Sequence, residues 1–234
     1  MQALTHQDVP PEENPTGEAL LDRFRPPFKF WVPASKVLVV GHSQEMEREI
    51  RGKAVLRDGI PVHRRMGGGG AVLLSPACVC VGLRFARIKG RTLHDYYEAG
   101  SDLIRRAVRA ATGLELQPRG ISDLACPSPD GIRKVVGCSL YMPRDFALYL
   151  ASVLVNPDLG EMETYLAHPS KEPDYRGGRA HGDFIAGLAS LAPAHSADPP
   201  LSPDRPLASH DLLAPLEAAL DAGLKTPLDW PSGS

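Results

Sequence analysis

The sequence predicts an α+β fold with a mixed, largely antiparallel central sheet flanked by helices. Three observations carry that expectation. Strand-like and helix-like runs are interspersed without the strand–helix–strand rhythm of a doubly wound sheet. Several runs, among them 36–41 and 133–141, read as strands. One long amphipathic pattern over 93–112, stopped by Gly113, supplies a covering helix. With 234 residues, 43% hydrophobic and 23% charged, the chain can bury a sizeable core.

The elements follow in order. Residues 1–16 are polar and proline-bearing and are expected to form a flexible segment. Residues 18–23 read as a short helix with Thr16 as its cap. Residues 28–32 alternate as a strand, and 36–41 form a buried strand closed by Gly41. A charged helix is expected over 45–57, and 60–62 lead into a loop holding Arg64, Arg65 and four glycines. Pro76 interrupts 71–85, giving two strands or one bent strand. After the long helix come strand character at 120–125, 133–141 and 147–155, with a turn at Pro129-Asp130-Gly131. A short helix over 161–167, a loop over 171–181 and a helix over 184–191 follow. Residues 17–191 are therefore expected to form the main domain. A proline-rich connection over 192–209 leads to a closing helix and tail of the same domain over 210–234.

Composition narrows the function. The formal net charge is −2, from 26 Lys+Arg and 28 Asp+Glu, which argues against general nucleic-acid binding. The four cysteines form no CxxC pair, and Cys78 and Cys80 share one strand face. A disulfide framework is not expected, nor is a zinc site, since the eight histidines show no paired ligand spacing. The first residues contain no apolar signal core, and no apolar run reaches membrane-spanning length. A soluble, cytoplasmic protein with no membrane partner is the expectation.

The most informative stretch is Arg64-Arg65-Met66-Gly67-Gly68-Gly69-Gly70-Ala71-Val72-Leu73. Four glycines beside a strand cost conformational entropy, and close backbone approach to a ligand compensates. Adjacent arginines supply positive charge for carboxylate or phosphate. Such a loop suits an anionic small molecule; a flexible surface turn is the plainer alternative. The pattern is neither GxxxxGK[ST] nor GxGxxG, and it precedes a strand. Binding would therefore use a nest of backbone N–H groups rather than a helix dipole.

This stretch resembles the RRxSGGGAVF loop of lipoate–protein ligases. Ser122-Asp123-Leu124 resembles the family's SDL or NDL, and Arg133-Lys134-Val135-Val136-Gly137-Cys138-Ser139 its RKxxGSA strand. Gly41-His42-Ser43-Gln44 and Asn156-Pro157-Asp158-Leu159 match further motifs in the same order. The resemblance covers residues 14–225. It implies a catalytic domain over 17–191 with the biotin/lipoate ligase fold, similar to class II aminoacyl-tRNA synthetase cores. It implies an enzyme that condenses lipoate or octanoate with ATP to an acyl-adenylate. The acyl group would then pass to a lysine of a lipoyl carrier domain.

The implied site follows residue by residue. Arg65, Gly70, Ala71, Val72, Leu73 and Lys134 would contact ATP. Lys134, with Gly68, Gly69, Gly137 and Ser139, would contact lipoate, and Lys134 would be the catalytic residue. Asp123 and Ser122 would help hold Mg²⁺. A compact ammonium between two anions offsets their repulsion, which is why a lysine suits this step. Val72, Val79, Val81 and Val136 are candidates for an acyl tunnel, with ordinary core as the alternative.

The sequence departs from the family at Gly67, where serine is usual, and at Leu74-Ser75-Pro76, where His-Asp is usual. The family's small accessory domain is expected to be absent or supplied by a separate subunit. Two other readings stay open: an ATP-independent octanoyltransferase with Cys126 as nucleophile, and a non-catalytic lipoate- or lipoyl-protein-binding subunit. Arg84, Arg87, Lys89 and Arg91 form a basic run that could dock an acidic carrier. In the loop over 171–181, Arg176 and Arg179 could close over a ligand or form structural ion pairs.

Overall fold

The computed structural model describes residues 14–192, 207–224 and 226–227. Residues 1–13, most of the proline-rich connection and residues 228–234 lie outside the described residues.

Two sheets form the framework. Among the described residues the strands are β1 (Phe28–Trp31), β2 (Val37–Val40), β3 (Val62–Arg64), β4 (Val72–Leu74), β5 (Cys78–Ala86), β6 (Gln117–Arg119), β7 (Asp123–Ser128), β8 (Gly131–Tyr141) and β9 (Phe146–Leu154). A six-stranded sheet has the order β1-β5-β9-β8-β7-β6, antiparallel throughout. A three-stranded sheet has the order β3-β2-β4, with β2 and β3 parallel. The fold is thus α+β with a large antiparallel sheet, as the sequence predicts. Pro76 separates β4 from β5, which lie in different sheets.

The α-helices among the described residues are α1 (Met46–Glu49), α2 (Gly52–Arg57), α3 (Leu93–Thr112), α4 (Leu159–Tyr165), α5 (His181–Phe184), α6 (Leu188–Leu191) and α7 (Leu213–Asp221). Helix α3 starts at a capping box between Thr92 and Asp95 and ends at Gly113, whose φ of 72° few other residues adopt. Its Arg105 donates to the Leu116 carbonyl, and its Arg106 donates to the carbonyls of Ala219 and Gly223, which ties the end of α7 to α3.

The core has two parts. Val79, Val81, Leu83 and Phe85 pack against Leu103, Ile104 and Ala107 of α3 and Leu216 of α7. On the opposite face, Cys78 and Cys80 pack with β2, Met162, Tyr165 and Phe184. Strand β5 is therefore buried on both faces, so its sequence is apolar without a polar alternation. Each large side chain buried here contributes about 1.5–3 kcal/mol.

Two expected helices are broken. The helix expected over 45–57 splits at Ile50, which is extended and bridges Leu166. The helix expected over 184–191 splits into α5 and α6 around Ile185–Gly187, where Ile185 bridges Lys134. At Gly187 a Cβ would meet the Val155 carbonyl oxygen at 2.6 Å, so glycine is needed for that close approach. Residues 1–13 of the segment expected to be flexible lie outside the described residues, and its last residues are packed. Asn14 and Thr16 are buried, and the Thr16 N–H and hydroxyl both donate to Asn14 Oδ1.

Candidate active site

The site begins with an irregularity in β8. Leu124 pairs with Val136, but Ala125 pairs with Lys134, so Lys134 and Val135 together oppose one residue. Strand side chains alternate faces, and this bulge resets the alternation. Lys134 and Gly137, three residues apart, therefore line the same pocket, while Val135 and Val136 are both fully buried in the helix-side core. The Lys134 backbone is held by its carbonyl, which accepts from the Ala186 N–H at 2.9 Å.

Around the ammonium each neighbour has a role. Lys134 Nζ lies 2.7 Å from Asp123 Oδ1, and the Tyr175 hydroxyl donates to Asp123 Oδ2 at 2.9 Å. Burial, then the Asp123 charge, raises the Tyr175 pKa, so the phenol remains a donor. A Cβ at Gly137 would meet Lys134 Cε and Nζ at 3.2 Å. The glycine leaves room for the lysine head.

The glycine loop forms another wall. Arg64 Nη1 donates to the carbonyls of Gly41, His42 and Gln44. Arg65 donates to the carbonyls of Gly68, Gly70 and Val39. Burial lowers its pKa to about 10, which leaves it charged at neutral pH. Arg65 thus shapes the glycine loop through main-chain oxygens, and Arg64 shapes the adjoining turn at Gly41–Gln44. Gly41 and Gly69 pack backbone to backbone, since a Cβ on Gly41 would sit 1.9 Å from the Gly69 oxygen. Gly69 itself has φ 92°. Glu49, buried under the loop, accepts from the Ser170 hydroxyl and backbone N–H.

Between these walls lies a pocket of about 190 Å³. The structure brings into it Lys134, Asp123, Ser122, Gly137, Ser139, Arg65 and the segment from Gly69 to Leu74. Gly68 is not among the lining residues; its carbonyl accepts from Arg65. Apolar lining comes from Trp31, Val39, Val72, Cys80, Leu150 and Leu154, among others.

Several expectations need correction. Val79, Val81 and Val136 face the helix-side core rather than the pocket, and of the four tunnel candidates only Val72 lines it. Alternation along β7 turns Cys126 into the same core, 4% exposed, with its thiol pKa raised by burial. It is not placed to act as a nucleophile in the pocket. Arg84, counted with the basic docking run, is fully buried and donates to the carbonyls of Leu20, Asp22 and Arg25.

Sequence reasoning missed Tyr175 as the residue that holds Asp123, Glu49 as the loop's support, and Pro15 and Thr16 as pocket wall. None lies in a quoted motif except by adjacency, so no spacing signal marks them.

Asp123 and Ser122, the expected magnesium ligands, both line the pocket, and Mg²⁺ bound with phosphates needs only one or two protein oxygens. Among the described residues there is no cluster of three or more His, Cys, Asp or Glu that could hold a metal. Asp123 already has both oxygens bonded, to Lys134 and Tyr175.

A braced glycine loop, a strand ammonium and apolar walls meet in one pocket. A family model, the lipoyl protein ligase A/B catalytic domain, matches residues 16–198. The chain belongs to that family. Similar solved structures include an archaeal bi-partite lipoate protein ligase from Thermoplasma acidophilum, studied with its E2 lipoyl domain. It is 18% identical, with a TM-score of 0.66 over 83% of this chain and 69% of that one. A lipoate-protein ligase A bound with ATP is 18% identical, with a TM-score of 0.63 over 83% and 71%. P. falciparum LipL1 in complex with lipoate is 18% identical, with a TM-score of 0.61 over 83% of this chain and 48% of that one. At this identity the likeness establishes the fold. No helix among the described residues is long and apolar enough to cross a membrane.

Proposed function

We propose that the chain is an ATP-dependent lipoate–protein ligase that activates lipoate, or octanoate, and transfers it to a lysine of a lipoyl carrier domain. The observation that supports this reading is the Lys134 ammonium, set by the β8 bulge into the pocket that the glycine loop also lines. The ATP and lipoate bound to similar structures support the two substrates, and the E2 lipoyl domain of another supports the acceptor.

In the first step a carboxylate oxygen of lipoate attacks the α-phosphorus of ATP. A new P–O bond forms, and the bond to the bridging oxygen breaks as pyrophosphate leaves. Lys134 sits between carboxylate and phosphate, where a point charge with three donors lowers their mutual repulsion. Backbone from Gly69 to Leu73 cradles the nucleotide, with Arg65 holding the loop in shape. Gly137 and Ser139 border the acyl carboxylate, and the apolar walls take the chain. In the second step the carrier lysine amine attacks the acyl carbonyl. The bond to the adenylate oxygen breaks, AMP leaves, and the amine gives up a proton as the amide forms. Positioning and electrostatics do most of this work.

The test is acyl transfer to a lipoyl carrier domain, followed by intact mass, with lipoate against octanoate and with or without ATP. A mass gain that requires ATP and fails in Lys134→Ala supports the reading. A gain without ATP overturns it.

A further inference from the structure

Arg176 carries a donor that the fold leaves unmatched. It ends the 3-10 turn Asp174–Arg176 and lines the pocket, although it is only 4% exposed. Its Nε is engaged: it donates to the Arg179 carbonyl at 2.9 Å and lies 3.4 Å from Glu172 Oε2. Its Nη2 is buried and meets no acceptor. A buried N–H without an acceptor costs free energy, so a fold that keeps one has a reason to.

The setting of this cation is specific. Its guanidinium carbon lies 4.8 Å from the centre of the Phe184 ring, and the next residue, Ile185, bridges Lys134. On its other side in the chain, Tyr175 holds the carboxylate that holds Lys134. The stack therefore sets a second positive charge on the wall that carries the lysine. Of the other cations that line the pocket, Arg65 is bonded to carbonyls, Lys134 to Asp123, and Lys171 stands on the same loop as Arg176. Gly177 and Gly178 follow at φ 59° and 73°, with open space where a Cβ would stand. A shift at these glycines would uncover Nη2 for a ligand.

We propose that Arg176 is the contact for the pyrophosphate end of the nucleotide, taking the charge left on the bridging oxygen when the acyl-adenylate forms. This rests on the adenylate-forming reading above. When the new bond to the α-phosphorus forms, the electron pair of the broken P–O bond stays on pyrophosphate. A planar guanidinium with a free N–H matches such an oxyanion. Lys134, on a strand, stays with the adenylate for the second step. Arg176, on a turn that ends in two glycines, can release its ligand.

Three measurements on the full chain test this, using Arg176→Gln and Arg176→Lys. They are calorimetric titration with inorganic pyrophosphate, lipoate-dependent exchange of pyrophosphate into ATP, and transfer from chemically prepared lipoyl-adenylate to a carrier domain. Arg176→Gln is expected to weaken pyrophosphate binding about tenfold or more. It should slow exchange by a much larger factor than transfer from the adenylate, and Arg176→Lys should recover part of the loss. Unchanged pyrophosphate affinity, or equal losses in both half-reactions, overturns the proposal. Should Arg176→Gln fail to fold, the same ratio of losses in Arg176→Lys decides. Wild-type protein that binds pyrophosphate through Arg176 yet forms no adenylate would sink the ligase reading and leave the oxyanion site standing.

Discussion

Lys134 and Asp123 form a partly buried ion pair at 2.7 Å, with the lysine side chain 24% exposed and the aspartate 7%. In the proposed mechanism the lysine needs freedom to meet substrate, and the aspartate, fixed by Tyr175, would aim it. Asp123→Asn should therefore lower the turnover of acyl transfer by about a hundredfold, the scale of a misaimed reacting group. The KM for lipoate should move much less. Tyr175→Phe removes a single hydrogen bond, worth about 1 kcal/mol, and should cost about fivefold in turnover. Steady-state kinetics on both variants check this ordering.

Gly137 and Gly41 predict opposite behaviours. At Gly137 an added methyl meets the movable head of Lys134, so Gly137→Ala should fold normally while losing most activity. At Gly41 the methyl would meet a backbone oxygen at 1.9 Å, which cannot yield cheaply. Gly41→Ala should unfold at clearly lower denaturant, by about 1–3 kcal/mol of overpacking strain. Urea melts and transfer assays on both variants separate the two cases.

His181 predicts a pH dependence. Burial, then the Arg176 charge, lowers its pKa below the ordinary 6.5, against the opposing pull of Glu163. As pH falls below 6.5 the unfolded chain takes up this proton before the folded chain does. Its contribution to stability is therefore fully present above that value and is lost as pH falls toward the folded pKa. His181→Gln should flatten the loss of stability in that window, measured as the urea midpoint against pH.

Cys126 predicts no effect on chemistry. It lies in the helix-side core, away from the lysine. Cys126→Ala should keep ATP-dependent transfer close to wild type, with a modest loss of stability from the vacated thiol. Loss of transfer in a folded variant would instead favour a thioester mechanism.

The sequence made much of this legible because strands and the glycine loop are local patterns. The apolar runs of β2, β5 and β9 and the amphipathic pattern of α3, stopped by Gly113, predict their own elements. The segments at Ile50 and Ile185 could not be read that way. Both interrupt helical patterns to pair with distant backbone, at Leu166 and Lys134. Tertiary pairing overrides local propensity there, and the second of these pairings supports the site itself. Lys134 was legible from its motif, but its facing was not, because strict alternation would put it and Gly137 on opposite faces without the bulge. Arg65 was legible as a loop residue; that its guanidinium is bonded to carbonyls needed the coordinates.

The central claim is that the Lys134 ammonium joins two anions in the pocket beside the glycine loop. The most direct measurement is pyrophosphate release on mixing the protein with lipoate and magnesium–ATP, in wild type and Lys134→Ala. The account predicts release in wild type and a loss of about a hundredfold to a thousandfold in the variant, with its melting curve little changed. Equal release from both proteins would contradict it.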